Sequence, residues 1–225
     1  MNNSFNIIFD KTSSLQVPLH HGIWTVKEKE PENTHTKELN LKISSEELHA
    51  YEERVNESNF SIKSTVVPDK KCDGFAFVLN EGACDRLLFV ELKDGLCAST
   101  IVKALTQLFW SFVKMHSYLS ICEKYDLNKI AVEFVIATQQ FKSDDERTKL
   151  ELFISNSQMV DERKTVAKFL NKLLRDGYSS VSIGTITEII KKKYPFNELL
   201  VNKNVIIQHF KSTNFGESVI NARLE

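Results

Sequence analysis

The chain has little of what flexible, membrane-spanning or metal-clustered proteins are made of. Seven glycines and four prolines in 225 residues are too few for linkers, low-complexity tracts or internal repeats. No apolar run approaches the ~20 residues that a membrane-spanning helix needs. The four cysteines, at 72, 84, 97 and 122, form no CxxC pair and have no histidine at ligand spacing. That argues against an iron–sulfur or structural zinc site and for reduced thiols. Met1-Asn2-Asn3-Ser4 opens no basic-then-apolar segment, so no secretory signal is expected, and the expected location is cytoplasmic. A charge surplus is missing too. The net charge is −1, whereas a stand-alone nucleic-acid binder carries a basic excess. Positive charge must be local, or another subunit must bring it.

What is present is an ordinary globular composition, 42% apolar and 26% charged, in a chain long enough for one well-buried domain. Residues 1–43 read as a peripheral segment. Phe5–Phe9 and Ile23–Val26 are short candidate strands, and Lys27–Glu38 is a charged loop. Residues 44–138 read as the core. Ser44 with Glu47 forms a capping box, and Leu48, Tyr51 and Val55 follow at helical spacing. Phe60–Val67 reads as a strand. Cys72–Leu79 and Arg86–Lys93 read as a hairpin turning at Gly82. Ser99 or Thr100 caps a long buried helix reaching about Lys124, and Ile130–Ala137 is a buried strand. Residues 139–225 read as an extension packed on the same domain, with helices over Asp161–Arg175 and Ile186–Lys193 and a closing strand at Val205–Phe210. The predicted core order is helix, strand, strand, strand, helix, strand.

One constellation carries chemistry. Asp73 opens the first hairpin strand, and Phe89-Val90-Glu91-Leu92-Lys93 ends the second. Side chains alternate along a strand, so Glu91 and Lys93 share a face. Leu87–Val90 is apolar throughout, so the strand is expected to be covered on both faces. A carboxylate and an ammonium at the end of such a strand are costly to bury without partners. Register decides whether Asp73 joins them. Pairing Leu79 with Arg86 sets Asp73 opposite Leu92, on the wrong face. Pairing Leu79 with Leu87 or Asp85 puts Asp73 on the face of Glu91, which requires a bulge or an odd-length connection. The competing reading is a plain Glu–Lys pair at a strand end.

The element order with Asp73, Glu91 and Lys93 in these places resembles the PD-(D/E)XK nuclease superfamily over roughly residues 44–138. The resemblance implies an α/β restriction-endonuclease-like core, helix-strand-strand-strand-helix-strand, with a central mixed sheet flanked by helices. It also implies a phosphodiesterase dependent on Mg²⁺, with Mn²⁺ as substitute, in which Asp73 and Glu91 hold the ion and Lys93 serves the phosphate or the attacking water. Family members often add a carboxylate from the first helix. Glu52 is the choice here, because Glu47 belongs to the capping box. Asp73 is preferred over Asp69, which follows Pro68 in a charged loop. RecB-like members carry a Gln followed four residues later by Tyr. This chain has Gln107 followed by Ser111, a partial match that favours an endonuclease over an exonuclease. Lys70, Lys71 and Lys103 are the candidates for tracking a nucleic-acid backbone, with Lys63 and Lys191-Lys192-Lys193 as further basic positions. His20-His21 with Trp24 reads as structural or interfacial. The implied function is a deoxyribonuclease of restriction or anti-phage type, a homodimer or a subunit of a larger complex, with no membrane partner. The alternative is a catalytically silent nuclease-fold subunit that binds nucleic acid or builds a complex.

Overall fold

The computed structural model describes residues 16–17, 23–28, 36–43, 48–52, 72–80, 83–121, 125–157, 161–192 and 194–224. The expectations for Phe5–Phe9, the capping box and Phe60–Val67 lie outside the described residues, as do His20, His21, Lys63, Asp69, Lys70, Lys71 and Lys193.

The fold is α/β. The strands are β1 (Gln16–Val17), β2 (Ile23–Lys27), β3 (Glu38–Ile43), β4 (Leu48–Glu52), β5 (Gly74–Asn80), β6 (Ala83–Lys93), β7 (Ala131–Thr138), β8 (Tyr178–Ser182), β9 (Asn204–Lys211) and β10 (Val219–Leu224). The helices are α1 (Ala98–Leu119), α2 (Asp144–Ser157), α3 (Asp161–Asp176), α4 (Ile183–Ile189) and α5 (Glu198–Val201). Seven strands form one mixed sheet in the order β1-β4-β5-β6-β7-β9-β8, and three form a smaller one in the order β10-β3-β2. In the large sheet β6, β7 and β9 run parallel, while the strands outside them pair antiparallel. The crossover from β6 to β7 is α1, as parallel neighbours require.

The two faces of the large sheet are covered differently. Phe75, Phe77, Leu87, Phe89, Phe134 and Ile207 point into a core to which each of the five described helices contributes. Alternate residues of the same strands, among them Ala76, Leu88, Val90, Leu92 and Val135, meet the small sheet through Trp24, Leu39, Leu41 and Ile220. β6 is therefore buried on both faces, as its unbroken apolar run requires. Phe89 anchors the helix side, with its ring 5.1 Å from Phe75, 6.0 Å from Phe112 and 5.8 Å from Phe134.

Several expectations need correction. Leu48–Glu52 is a strand, not a helix. Leu48 and Tyr51 fit a helical period, but β4 is laddered to β1 on one side and β5 on the other, and non-local pairing overrides local spacing. The N-cap of α1 is Cys97, not Ser99 or Thr100, and makes no side-chain capping bond. Instead its Sγ lies 3.2 Å from Ser99 Oγ and 3.0 Å from Thr100 Oγ1. α1 ends at Leu119, earlier than expected, and twelve of its side chains are buried. α4 begins at Ile183 because Ser182 caps it, accepting the Thr185 amide at 3.1 Å. β9 does not close the sheet; it lies inside it, between β7 and β8.

Candidate functional site

The hairpin sets the site. Gly74 pairs with Val90 and Val78 with Arg86, and then the register shifts so that Leu79 pairs with Cys84. Asp85 is the extra residue of this bulge. The ladder ends at Gly74, and Asp73 lies in the bend just before it, with its carboxylate near enough to Glu91 to act on that group's charge. The Asp73 amide donates to the Val90 carbonyl at 2.9 Å. The Asp73 carboxylate accepts the Leu92 amide through Oδ2 at 2.7 Å, which holds it beside Glu91.

Glu91 is fully buried. Because Leu92 faces the small sheet, Glu91 and Lys93 face the helices. The Lys93 ammonium donates to Glu91 Oε1. Glu91 Oε2 accepts no hydrogen bond from any described residue. Burial first, and then the Asp73 carboxylate, push the Glu91 carboxyl well above its ordinary range against the pull of Lys93, and Glu28 adds a further repulsion. Two acidic groups thus stand together at this strand end, with the Lys93 ammonium against one of them.

Cys72 closes the floor. Its amide donates to Ser111 Oγ at 2.8 Å, and its Sγ lies 3.2 Å from the Gly74 carbonyl. Burial raises the thiol to about 12, with the Glu91 and Asp73 carboxylates adding to the shift, so it is a neutral packing group and not a nucleophile. Ser111 stands on the partly buried face of α1 that reaches the hairpin. Gln107 lies one turn earlier on that face, half-buried, and Lys103 one turn earlier again, exposed. Glu52 stands opposite Gly74 on β4, so it approaches from the sheet and not from a helix. Lys191 and Lys192 lie just past α4, with Lys191 at φ 53°.

A polar knot behind the strand ends had no signature in the sequence. Thr36 donates from its amide to Asp94 Oδ1 at 2.7 Å and from its hydroxyl to the Lys93 carbonyl at 3.0 Å. Buried Gln139 donates from Nε2 to Thr36 Oγ1 at 2.8 Å and to the Glu217 carbonyl at 2.6 Å. Its Oε1 accepts the Gly216 amide at 2.9 Å. Glu28, read as part of a charged loop, follows β2, and its field reaches Glu91. Neither Glu28 nor Gln139 stands in a recognisable motif; only the packing of β2 and β10 over the large sheet brings them here.

Among the described residues no group of three or more His, Cys, Asp or Glu side chains is gathered to hold a metal ion. What converges is the pair Asp73 and Glu91 with Lys93. Together the fold and these residues define an α/β protein with a buried glutamate at the carboxyl end of a central strand and a half-buried aspartate beside it. Comparison with family models, with curated proteins and with solved structures found no match in any of the three.

Proposed function

We propose that the chain is a divalent-metal-dependent phosphodiesterase acting on nucleic acid, DNA before RNA, of restriction or anti-phage type. One observation carries this reading: a fully buried glutamate has a carboxylate beside it, an ammonium on one oxygen and, among the described residues, no donor on the other. In a site built only for stability, that second oxygen would have a partner. A hard divalent cation suits it, because it takes carboxylate oxygens and offsets the repulsion between Asp73 and Glu91. Mg²⁺ or Mn²⁺ fits the donor set. When bound, such an ion polarises a phosphate oxygen and makes a water more acidic.

The chain's own groups do the rest. Asp73 and Glu91 would hold the ion, and the Leu92 amide fixes the direction of Asp73. Lys93 offers positive charge to oxygens on which negative charge builds. The half-buried wall of α1 excludes water behind them. Gln107 and Glu52 belong to this proposal as positions flanking the pair. Lys103 belongs to it as an exposed cation on the same helix.

The test is cleavage of plasmid, single-stranded DNA and RNA with Mg²⁺ or Mn²⁺. Glu91→Ala and Lys93→Ala should each lower the rate at least ~100-fold, and chelation with EDTA should abolish it. Cleavage that survives both substitutions rejects the assignment. A second reading, a silent nucleic-acid-binding or structural subunit, is favoured by the net charge of −1. It predicts no cleavage of any substrate, alone or with partners.

A further inference from the structure

A second feature sits on the same face of the sheet as the carboxylate pair. β6, β7 and β9 are in parallel register, with Glu91 beside Ile136 and Ile136 beside His209. One step along, Lys93 pairs with Thr138 and Thr138 with Lys211. The rows that hold Glu91 and Lys93 therefore end, two strands away, at His209 and Lys211. Neighbouring strands lie about 4.8 Å apart, so the separation is roughly 10 Å.

At that point a cavity of about 430 Å³ opens between α2, α3 and the end of β9. Its volume lies within the ~300–1,000 Å³ of small-ligand sites. The floor is apolar, formed by the buried side chains of Leu96, Leu150 and Ile154. The rim is cationic: Arg147, Arg175 and Lys211 line it with one carboxylate, Glu151. Asp176 already takes the Arg175 fork, at 2.7 and 3.0 Å. Arg147 Nη1 lies 4.0 Å from Asp144 Oδ1, and its guanidinium lies 5.5 Å from the centre of the Phe141 ring. An aromatic ring under a guanidinium, an apolar floor and an exposed lysine match a planar base carrying a phosphate.

We propose that this cavity is a nucleotide subsite, taking one base and phosphate of a single strand whose scissile phosphate lies at Asp73 and Glu91. This rests on the nuclease reading above for the position of the cut. A single strand advances at least the ~3.4 Å per nucleotide of a stacked duplex, so roughly 10 Å places the held nucleotide within about three positions of it. Lys211 and Arg147 take the phosphate, and Phe141 and the floor take the base.

The experiment follows the affinity of the full chain for a labelled single-stranded DNA oligonucleotide by fluorescence anisotropy, with deoxythymidine monophosphate and inorganic phosphate as competitors. Lys211→Glu and Arg147→Glu are at exposed positions, and thermal melts check that the fold is kept. Each should weaken oligonucleotide binding at least tenfold and remove ~0.7 from the slope of log affinity against log salt. Asn171→Trp, an exposed residue on the same lining, should block the mouth and weaken binding without any change of charge. Competition by the mononucleotide but not by phosphate supports base recognition. Free nucleotide binding as tightly as the strand would make a free nucleotide the ligand of the same cavity. Unchanged affinity in all three variants overturns the proposal. Glu91→Gln separates the two readings. It should abolish cleavage and leave oligonucleotide affinity within threefold, and cleavage that persists in it sinks the metal site without touching the cavity.

Discussion

At the scale of single residues the protein keeps ionisable groups where water cannot reach them, and His209 shows what that costs. It is 9% exposed, and its Nε2 lies 2.9 Å from Thr138 Oγ1. Burial, with the Lys211 charge adding to it, lowers its pKa from 6.5 to about 4. Glu151 of α2 and Arg175 of α3 line the same cavity. The folded state therefore binds fewer protons than the unfolded chain between those two values. The stabilisation is complete above about pH 6.5 and is lost as the pH falls toward 4, by about 3 kcal/mol in total. His209→Gln should remove that dependence. Urea melts of both proteins from pH 7 to pH 4 check it. Parallel curves across the window would mean the ring is not held neutral. Glu91 poses the same problem with the opposite sign, since burial favours its protonated form. Lys93 pulls against that shift without cancelling it, and on the proposed reading a bound divalent ion would favour the carboxylate.

The elements show why a short hairpin register has wide consequences. β5 must pass close under β2 to bring Asp73 to Glu91, and Gly74 makes this possible. A Cβ at Gly74 would lie 2.9 Å from Trp24 Cζ2 and 2.9 Å from Val26 Cγ2, both on buried side chains that cannot retreat. Gly74→Ala should destabilise the fold by about 1–3 kcal/mol and push the two sheets apart beside Asp73. A denaturation midpoint equal to that of the parent chain would show that the contact is slack. The hairpin was legible in the sequence because two apolar runs with turn residues between them admit few other structures. The bulge at Asp85 was legible only as a condition on shared chemistry. β4 was misread because five residues carry both a helical and an alternating pattern, and the choice belongs to the ladder that β1 and β5 provide.

Over the whole molecule, β10 meets the early strand β3 at the site's back wall. β10, from residues 219–224, pairs parallel with β3, and both lie over the large sheet opposite the helices. Gln139 ties this arrangement to the strand ends that carry Lys93. Its amide donates to the Lys93 carbonyl at 3.3 Å, while its side chain reaches Thr36, Gly216 and Glu217. Gln139→Leu removes the side-chain partner of the part-buried Glu217 carbonyl and Gly216 amide and should lower the unfolding free energy by about 1–3 kcal/mol. Chemical denaturation measures it, and a loss under 0.5 kcal/mol would mean that water or neighbours replace the bonds.

The amino-acid order alone decided the α/β class, the hairpin, the central buried helix and the two strands that flank it. Each of these follows from local apolar periodicity and turn chemistry, which are written within a dozen neighbouring residues. Three things waited for the tertiary structure: that Asp73 lies beside Glu91, that the described helices share one face while a second sheet takes the other, and that Glu28, Thr36 and Gln139 gather behind the strand ends. They depend on contacts between segments up to 181 positions apart, such as Asn40 with Asn221, and the free energy of such contacts comes from burial and pairing that exist only after the chain has closed.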